Sequence, residues 1–375
     1  MKIVISVNTT WNIFNFRLGL IKELQSKGHQ VIALAPKDKY VPKLEALGVT
    51  CHHVTLNLSG TNPINEINLF WQYYKLFKVI KPDIILSYTI KPNIYGNFAA
   101  RLLRIHTINN ISGLGTIFIR TTLASYIGKM LYKLSLSSSF HVFFQNSDDK
   151  NIFLNSKLVT FSKCSVIPGS GVNISTFKSE RTNNVGKTFL FAGRLIGDKG
   201  VFEYLEAATE ILKFYPDIKF LLAGELGYNN NTALSKDKLK YYTNNYPQIK
   251  YLGKTDNMVS VFESIDVMVL PSYREGLSKS LVEAAAMTLP IITTDVPGCK
   301  EVVNNNESGL LCNVKSSVSL VKNMKKMVEL NQHERHQMGI NGRKIVEKIF
   351  AEEHVIRHYL LHINKLDRLI NNSQF

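Results

Sequence analysis

Two carboxylates eight residues apart, Glu275 and Glu283, lie in the stretch Ser272-Tyr-Arg-Glu-Gly-Leu-Ser-Lys-Ser-Leu-Val-Glu-Ala-Ala-Ala. The apolar run Val267 to Leu270 precedes them, so the order reads strand, tight turn, then a helix over Ser280 to Met287. Amides at a helix N-terminus have no intrahelical acceptor and are free to hold a phosphate. A bare E-x7-E spacing is equally what a solvated surface helix produces. The strand and turn in front of it are the parts that a phosphate site in an open α/β sheet requires.

A second group precedes the carboxylates, in Phe189-Leu-Phe-Ala-Gly-Arg-Leu-Ile-Gly-Asp-Lys-Gly. There a buried strand ends in Gly193 and Arg194, and Lys199 follows before a helix. A planar guanidinium fork and a point-charge ammonium together suit a departing diphosphate. Either cation alone is an ordinary loop residue; both after a strand, in the same half as Glu275, make a leaving-group site. The sequence holds no G-x-x-x-x-G-K-[ST], no G-x-G-x-x-G after its first strand and no G-x-S-x-G, so phosphate transfer from a P-loop, nicotinamide binding and the nucleophile elbow lose their usual support. Gly113-Leu-Gly115 follows the strand Thr107 to Ile111 and reads as a close-approach loop or a turn.

Such residues need a frame, and 375 residues with 45% hydrophobic content suffice for two domains. Apolar strand-like runs alternate with helical patterns, as in parallel sheets with crossover helices. In the first half Lys2 to Val7, Gln30 to Ala35, Ile84 to Ser87, Thr107 to Ile111 and Val142 to Gln145 read as strands; Arg17 to Lys27, Pro42 to Leu47, Pro63 to Ile80 and Asn93 to Leu103 read as helices. A fresh series starts at Thr188 to Ala192 and runs through Lys219 to Ala223, Ile249 to Leu252, Asp266 to Leu270, Pro290 to Thr293 and Gly309 to Cys312. The expected fold is α/β, two doubly wound Rossmann-like domains facing across a cleft, with a helical C-terminal tail. The expected bounds are 1–170, a linker at 171–187, a second domain at 188–345, and a final helix at 346–375 able to return to the first domain.

The formal charge of +16 is uneven. Residues 1–170 hold 19 Lys and Arg against 7 Asp and Glu, net +12, while residues 171–375 hold 26 against 22, net +4. The first half is therefore expected to meet something anionic. No zinc-finger, RNP-like or basic-helix pattern accompanies the charge, which argues against nucleic acid. Phe118, Leu123, Tyr126, Ile127, Met130, Leu131 and Leu134, set among Arg120, Lys129 and Lys133, read either as a core stripe or as an interfacial helix on an anionic membrane. No window approaches a membrane span, and the start lacks the form of a signal peptide. Cys51, Cys164, Cys299 and Cys312 show no metal or disulfide spacing, so a reduced cytosolic protein with incidental thiols and no metal is expected.

Taken together, Glu275 to Ala286, Gly193-Arg194 with Lys199-Gly200, Asp295-Val-Pro-Gly-Cys-Lys-Glu301 and Ile167-Pro-Gly-Ser-Gly-Val-Asn173 resemble glycosyltransferase family 4, retaining enzymes of the two-domain GT-B fold. Phe14-Asn-Phe-Arg17, Thr89-Ile-Lys-Pro-Asn-Ile-Tyr-Gly96, Asn110-Ile-Ser-Gly-Leu-Gly-Thr116 and Gln145-Asn146 resemble that family's bacterial surface-polysaccharide members. The resemblance implies that Glu275 binds hydroxyls of the donor sugar, that the amides of Gly276 and Leu277 hold the distal phosphate beside Gly193 and Ser278, and that Glu283 binds the ribose. Arg194 and Lys199 would stabilise the departing diphosphate. On the acceptor side it points to Arg17, Lys91, Asn93, Gly113 and Gly115. Ser278 stands where many members have Pro, and no His stands near Tyr88 to Lys91 where many carry one, which leaves Lys91 to take that role or the role unfilled.

The implied reaction is transfer of an N-acetylhexosamine or hexose from a UDP-sugar to a polyprenyl-diphosphate-linked saccharide in O-antigen or capsule synthesis. It would need no cofactor or metal and would take place in the cytoplasm, peripheral to the inner face of the membrane. Two other readings stay open: a UDP-sugar 2-epimerase of the same architecture, which needs no acceptor, and a basic nucleotide- or nucleic-acid-binding module.

Overall fold

The computed structural model describes residues 1–57, 62–114, 118, 123–179, 185–227 and 230–372. The chain forms two compact units, one made of Met1–Ser170 with Glu352–Phe375, the other of Gly171–Ala351.

In the first unit β1 (Lys2–Ser6), β2 (Gln30–Ala35), β3 (Thr50–His53), β4 (Ile84–Tyr88), β5 (His106–Ile111), β6 (His141–Phe144) and β7 (Cys164–Val166) form one sheet. Their order is β3-β2-β1-β4-β5-β6-β7, and every pairing is parallel. β1 and β4 are buried along nearly their whole length, as continuous apolar runs in a sheet covered on both faces should be. One face carries the helices Thr10–Ser26 and Glu352–Asn372, whose Ile13, Ile21, Leu24, Tyr359 and Ile363 share a core with β1 and β4. The other carries Pro63–Ile80, Asn97–Leu102 and Leu123–Leu136.

The second unit repeats the plan with β8 (Thr188–Ala192), β9 (Lys219–Ala223), β10 (Ile249–Gly253), β11 (Val267–Leu270), β12 (Ile291–Thr294) and β13 (Gly309–Cys312), ordered β10-β9-β8-β11-β12-β13 and all parallel. In each sheet the order reverses once, between β1 and β4 and between β8 and β11. Loops leaving the carboxyl ends of two such neighbouring strands diverge to opposite faces and open a crevice, where ligands bind in this class of sheet.

The structure differs from the sequence reading at several places. β3 and β7 were not expected, being a polar edge strand, Thr-Cys-His-His, and a run of three residues. The first helix starts at Thr10, not Arg17, because the Thr9 side chain accepts from the Asn12 amide and Asp38 takes the Trp11 amide at 3.0 Å. Residues expected as a linker belong to the second unit, where the Val172 amide donates to the Phe350 carbonyl at 2.9 Å. The return to the first unit falls at Glu352, six residues after the expected boundary at 346.

The returning helix docks partly through histidines. His362 lies 3.9 Å, ring to ring, from His141, whose Nε2 is 2.8 Å from Ser165 Oγ. Burial, then the nearby His362, Lys365 and His358, push His141 down to about 4. The unfolded chain, with an ordinary imidazole near 6.5, therefore takes up a proton that the folded unit resists. Stability should hold above pH 6.5 and fall as pH drops from there towards 4. Urea denaturation across that range should show the loss, and His141→Asn should flatten it.

Candidate functional site

The second unit's crevice is built by three loops hydrogen-bonded to one another. The β8 loop passes through a single turn, Gly197–Lys199, to Gly200, whose φ is +75°. A Cβ on Gly200 would stand 2.1 Å from the Pro271 carbonyl oxygen, so only glycine lets this loop reach the end of β11. The contact is then fastened, with the Tyr273 amide donating to the Asp198 carbonyl at 2.9 Å and Ser272 Oγ standing 3.2 Å from the same oxygen. The β12 loop closes the other side. Glu275 and Ser278 donate their amides to the Pro297 and Gly298 carbonyls at 3.0 and 2.8 Å, and Gly298, at φ +81°, leaves no room for a Cβ beside the Glu275 carbonyl.

These contacts place Glu275 against Lys199. Lys199 Nζ donates to Glu275 Oε1 in a short ion pair, and Ser272 Oγ donates to the same oxygen at 2.8 Å. The side chains are only 17% and 11% exposed, so the pair is partly shielded from water and its charges act more strongly than surface charges do. Glu275 is thus no solvated surface charge. Removing it would strand Lys199 and Ser272, at a cost on the order of 1–3 kcal/mol.

Glu283 lies on the helix Lys279–Ala286, 8% exposed and 3.6 Å from Lys279 Nζ. Burial pushes its carboxyl above the usual range, only partly offset by Lys279, which suits a group meeting neutral hydroxyls. The helix begins at Ser278 with no side-chain cap. The Ser278 amide is taken by the Gly298 carbonyl, so Ser278, expected on the donor side next to Gly276 and Leu277, does not present its backbone N–H in this arrangement. Leu277 is half-buried and Gly276 buried at the same turn. Gly193 donates its amide to Ala223, and its carbonyl lies where a Cβ on Gly224 would be, 1.8 Å away, so the β8 and β9 loops also touch through glycine. Arg194 follows, exposed.

Cys299 is fully buried in the β12 loop. Desolvation, reinforced by the negative Glu275, pushes its thiol up to about 12, so it stays protonated and is no nucleophile. Among the described residues no group of three or more His, Cys, Asp or Glu is placed to hold a metal ion.

The first unit treats the expected acceptor-side residues differently. Arg17 is buried with its guanidinium 4.1 Å from the Tyr88 ring centre, and its Nη1 donates to the Phe16 carbonyl. It lines a small cavity with Leu20, Ser170, Glu352 and Tyr359, and its Nε has no hydrogen-bond partner among the described residues. Lys91 is committed to a short ion pair with Glu66, which removes it as a stand-in for the missing His. Asn93 is fully buried; it donates to the Asn110 carbonyl and accepts from Asn109 Nδ2, each at 2.9 Å. It therefore braces β5 and is not presented to an acceptor. Gly113 is half-buried at φ +128°, and Gly115 lies outside the described residues.

Sequence reasoning missed two features in each unit. Thr89, at the end of β4, has φ +64°, a costly state for a β-branched residue and one that persists where surrounding contacts enforce it. The buried oxygens Asn8 Oδ1 and Asn12 Oδ1, just beyond β1, have no hydrogen-bond partner among the described residues. The signal for Thr89 was the Tyr-Thr-Ile-Lys-Pro turn after a buried strand; the asparagines gave none. In the second unit Ser272 was read only as a turn residue, and Gly224, ending a strand in Ala-Gly-Glu, was passed over.

Comparison with known proteins gives this site its setting. The family model "Glycosyl transferases group 1" matches residues 173–345, and "Glycosyl transferase 4-like" matches residues 2–146. Over 96% of this chain and 97% of its own length, the Campylobacter jejuni N,N'-diacetylbacillosaminyl-diphospho-undecaprenol alpha-1,3-N-acetylgalactosaminyltransferase is 28% identical. An Escherichia coli UDP-Gal:alpha-D-GlcNAc-diphosphoundecaprenol alpha-1,3-galactosyltransferase is 24% identical over 76% of this chain and 78% of its own. Among solved structures, Anabaena HepE in complex with UDP and glucose superposes with a TM-score of 0.79 at 15% identity, covering 97% of this chain and 100% of that one. The fold is that of the GT-B glycosyltransferases, and the chain belongs to the glycosyltransferases with a 4-like first half and a group 1 second half.

Proposed function

We propose that this glycosyltransferase moves an N-acetylhexosamine or hexose from a UDP-sugar to a polyprenyl-diphosphate-linked saccharide in the assembly of a bacterial O-antigen or capsule, at the inner face of the cytoplasmic membrane. The observation that carries the donor half is the shielded Lys199–Glu275 pair at the β8/β11 crevice, beside an uncapped helix start. The acceptor half rests on the names of the two relatives, which act on diphospho-undecaprenol-linked sugars.

In this reading the bond between the anomeric carbon and the diphosphate oxygen breaks as an acceptor hydroxyl attacks, and that hydroxyl's proton passes to the departing oxygen. Lys199 and Arg194 meet the charge that develops on the diphosphate, while Glu275 orients Lys199 and accepts from sugar hydroxyls. Glu283 takes the ribose. Both named relatives form alpha linkages, which from an α-linked nucleotide sugar is retention. Because side-chain cations meet the leaving group, no metal is required, and turnover should survive excess EDTA.

Glu275→Gln keeps the shape of the loop while removing the charge. It should stay folded by circular dichroism and slow transfer by about a hundredfold, and Lys199→Ala should do likewise, mainly in kcat. Near-parental turnover in either would end the donor-site assignment. A panel of nucleotide sugars, followed by UDP release, should respond to one UDP-sugar and only when lipid extract supplies an acceptor. Interconversion of UDP-sugars with no acceptor present would instead mark an epimerase.

A further inference from the structure

The helices Pro63–Ile80, Asn97–Leu102 and Leu123–Leu136 form one layer on the first sheet, the middle segment packing against both of its neighbours. Their inward faces are ordinary core, with Tyr73, Phe77, Ala99 and Tyr132 buried. Their outward faces are not ordinary surface. On the first helix Ile64, Ile67 and Trp71, spaced three and four apart, are 76%, 60% and 48% exposed. Tyr126, Ile127, Met130 and Leu134 repeat the pattern on the third, between 43% and 70% exposed. Two apolar stripes on one layer exceed the scattered hydrophobics of a monomer's surface and call for a partner.

The charges on the layer say which partner. Lys75, Lys78, Arg101, Arg104 and Lys133 are exposed and Lys129 is half-exposed. The three helices hold a single acidic residue, Glu66, which is buried and paired with Lys91. Residues 84–147 contain no Asp or Glu at all. The helices on the opposite face, by contrast, carry Glu23, Glu352, Glu353 and Asp367. Apolar and aromatic side chains flanked by long cations, without carboxylates, suit the boundary between lipid tails and anionic headgroups. No helix among the described residues is long and apolar enough to cross a membrane, so contact through this layer would be from one side.

We propose that this layer is the surface by which the protein lies on an anionic phospholipid bilayer, Trp71, Tyr126 and Met130 entering the headgroup region and the Lys and Arg side chains pairing with lipid phosphates. The proposal rests on the lipid-linked acceptor of the preceding section, for which it supplies a means of approach.

The full-length protein should co-sediment with vesicles of phosphatidylglycerol and phosphatidylethanolamine, but not with phosphatidylcholine alone, and should be released by high salt. Trp71→Ser with Met130→Ser, and separately Lys129→Glu with Lys133→Glu, should each lower vesicle binding by about tenfold or more. Transfer to a water-soluble, short-chain diphosphate-linked acceptor should be unchanged in both pairs, since none of the four residues belongs to the donor site. Parental protein that ignores anionic vesicles, or variants that bind them as well as the parent, would overturn the proposal. So would a lipid-free dimer that these substitutions convert to monomer, since the layer would then be a contact between copies. Loss of transfer to every acceptor alongside intact vesicle binding would count against the proposed reaction and leave the docking surface standing.

Discussion

The approach of Gly200 to the Pro271 carbonyl is the constraint on which the Lys199–Glu275 pair depends. Parallel strands deliver their loops to one edge of the sheet, but at a point of reversed order those loops diverge, and something must draw them together again. Here a residue without a Cβ lets the β8 loop meet the end of β11, after which Asp198, Ser272 and Tyr273 fasten it. Lys199 and Glu275, 76 residues apart, become partners as a result. Gly298 does the same from the β12 side, against the Glu275 carbonyl, while Gly224 lets the β9 loop meet Gly193 at the end of β8.

A pair held in this way is set before any substrate arrives. Lys199 need not search for its position, because Glu275 and the loop fix it, and the cost of ordering a long cationic side chain has been met in folding. Thr293 and Thr294 extend the arrangement beneath the site, their hydroxyls donating to the carbonyls of Leu270 and Ser272. Cys299 remains a neutral, buried neighbour. The first unit shows the opposite economy at its own point of reversal, where Thr89 keeps a strained backbone and Asn8 and Asn12 keep unsatisfied oxygens.

Much of the fold was legible in the sequence because strands buried on both faces are written as unbroken apolar runs: Gln30–Ala35, Thr188–Ala192, Lys219–Ala223 and Gly309–Cys312 are found as read. The strand, turn and helix around Glu275 were legible because that stretch is short and local. What stayed hidden depends on partners distant in sequence. Lys91 resembles a free cation until Glu66, 25 residues earlier, is found beside it, and Asn93 resembles a surface amide until Asn109 and Asn110 enclose it. Edge strands such as Thr50–His53 escape notice because one side is solvated and the pattern is polar. The outward stripe on Leu123–Leu136 could not be told from a core stripe by periodicity, since both have the same spacing.

The last helix of the chain has a bearing on how the protein is made. Val355, Tyr359, Ile363 and Leu366 complete the apolar core under β1 and β4, and the Tyr359 hydroxyl accepts from Asn110 at 2.9 Å. Those residues leave the ribosome only after all of Gly171–Ala351 has done so. The first unit is therefore translated first and finished last, and until then an apolar face beside β1 and β4 stays uncovered. The second unit, contiguous in sequence, needs nothing synthesised later. A nascent chain of this protein thus holds a complete second unit while the first still waits for the helix Glu352–Asn372, which makes the synthesis of that one helix the step that completes the first unit's core.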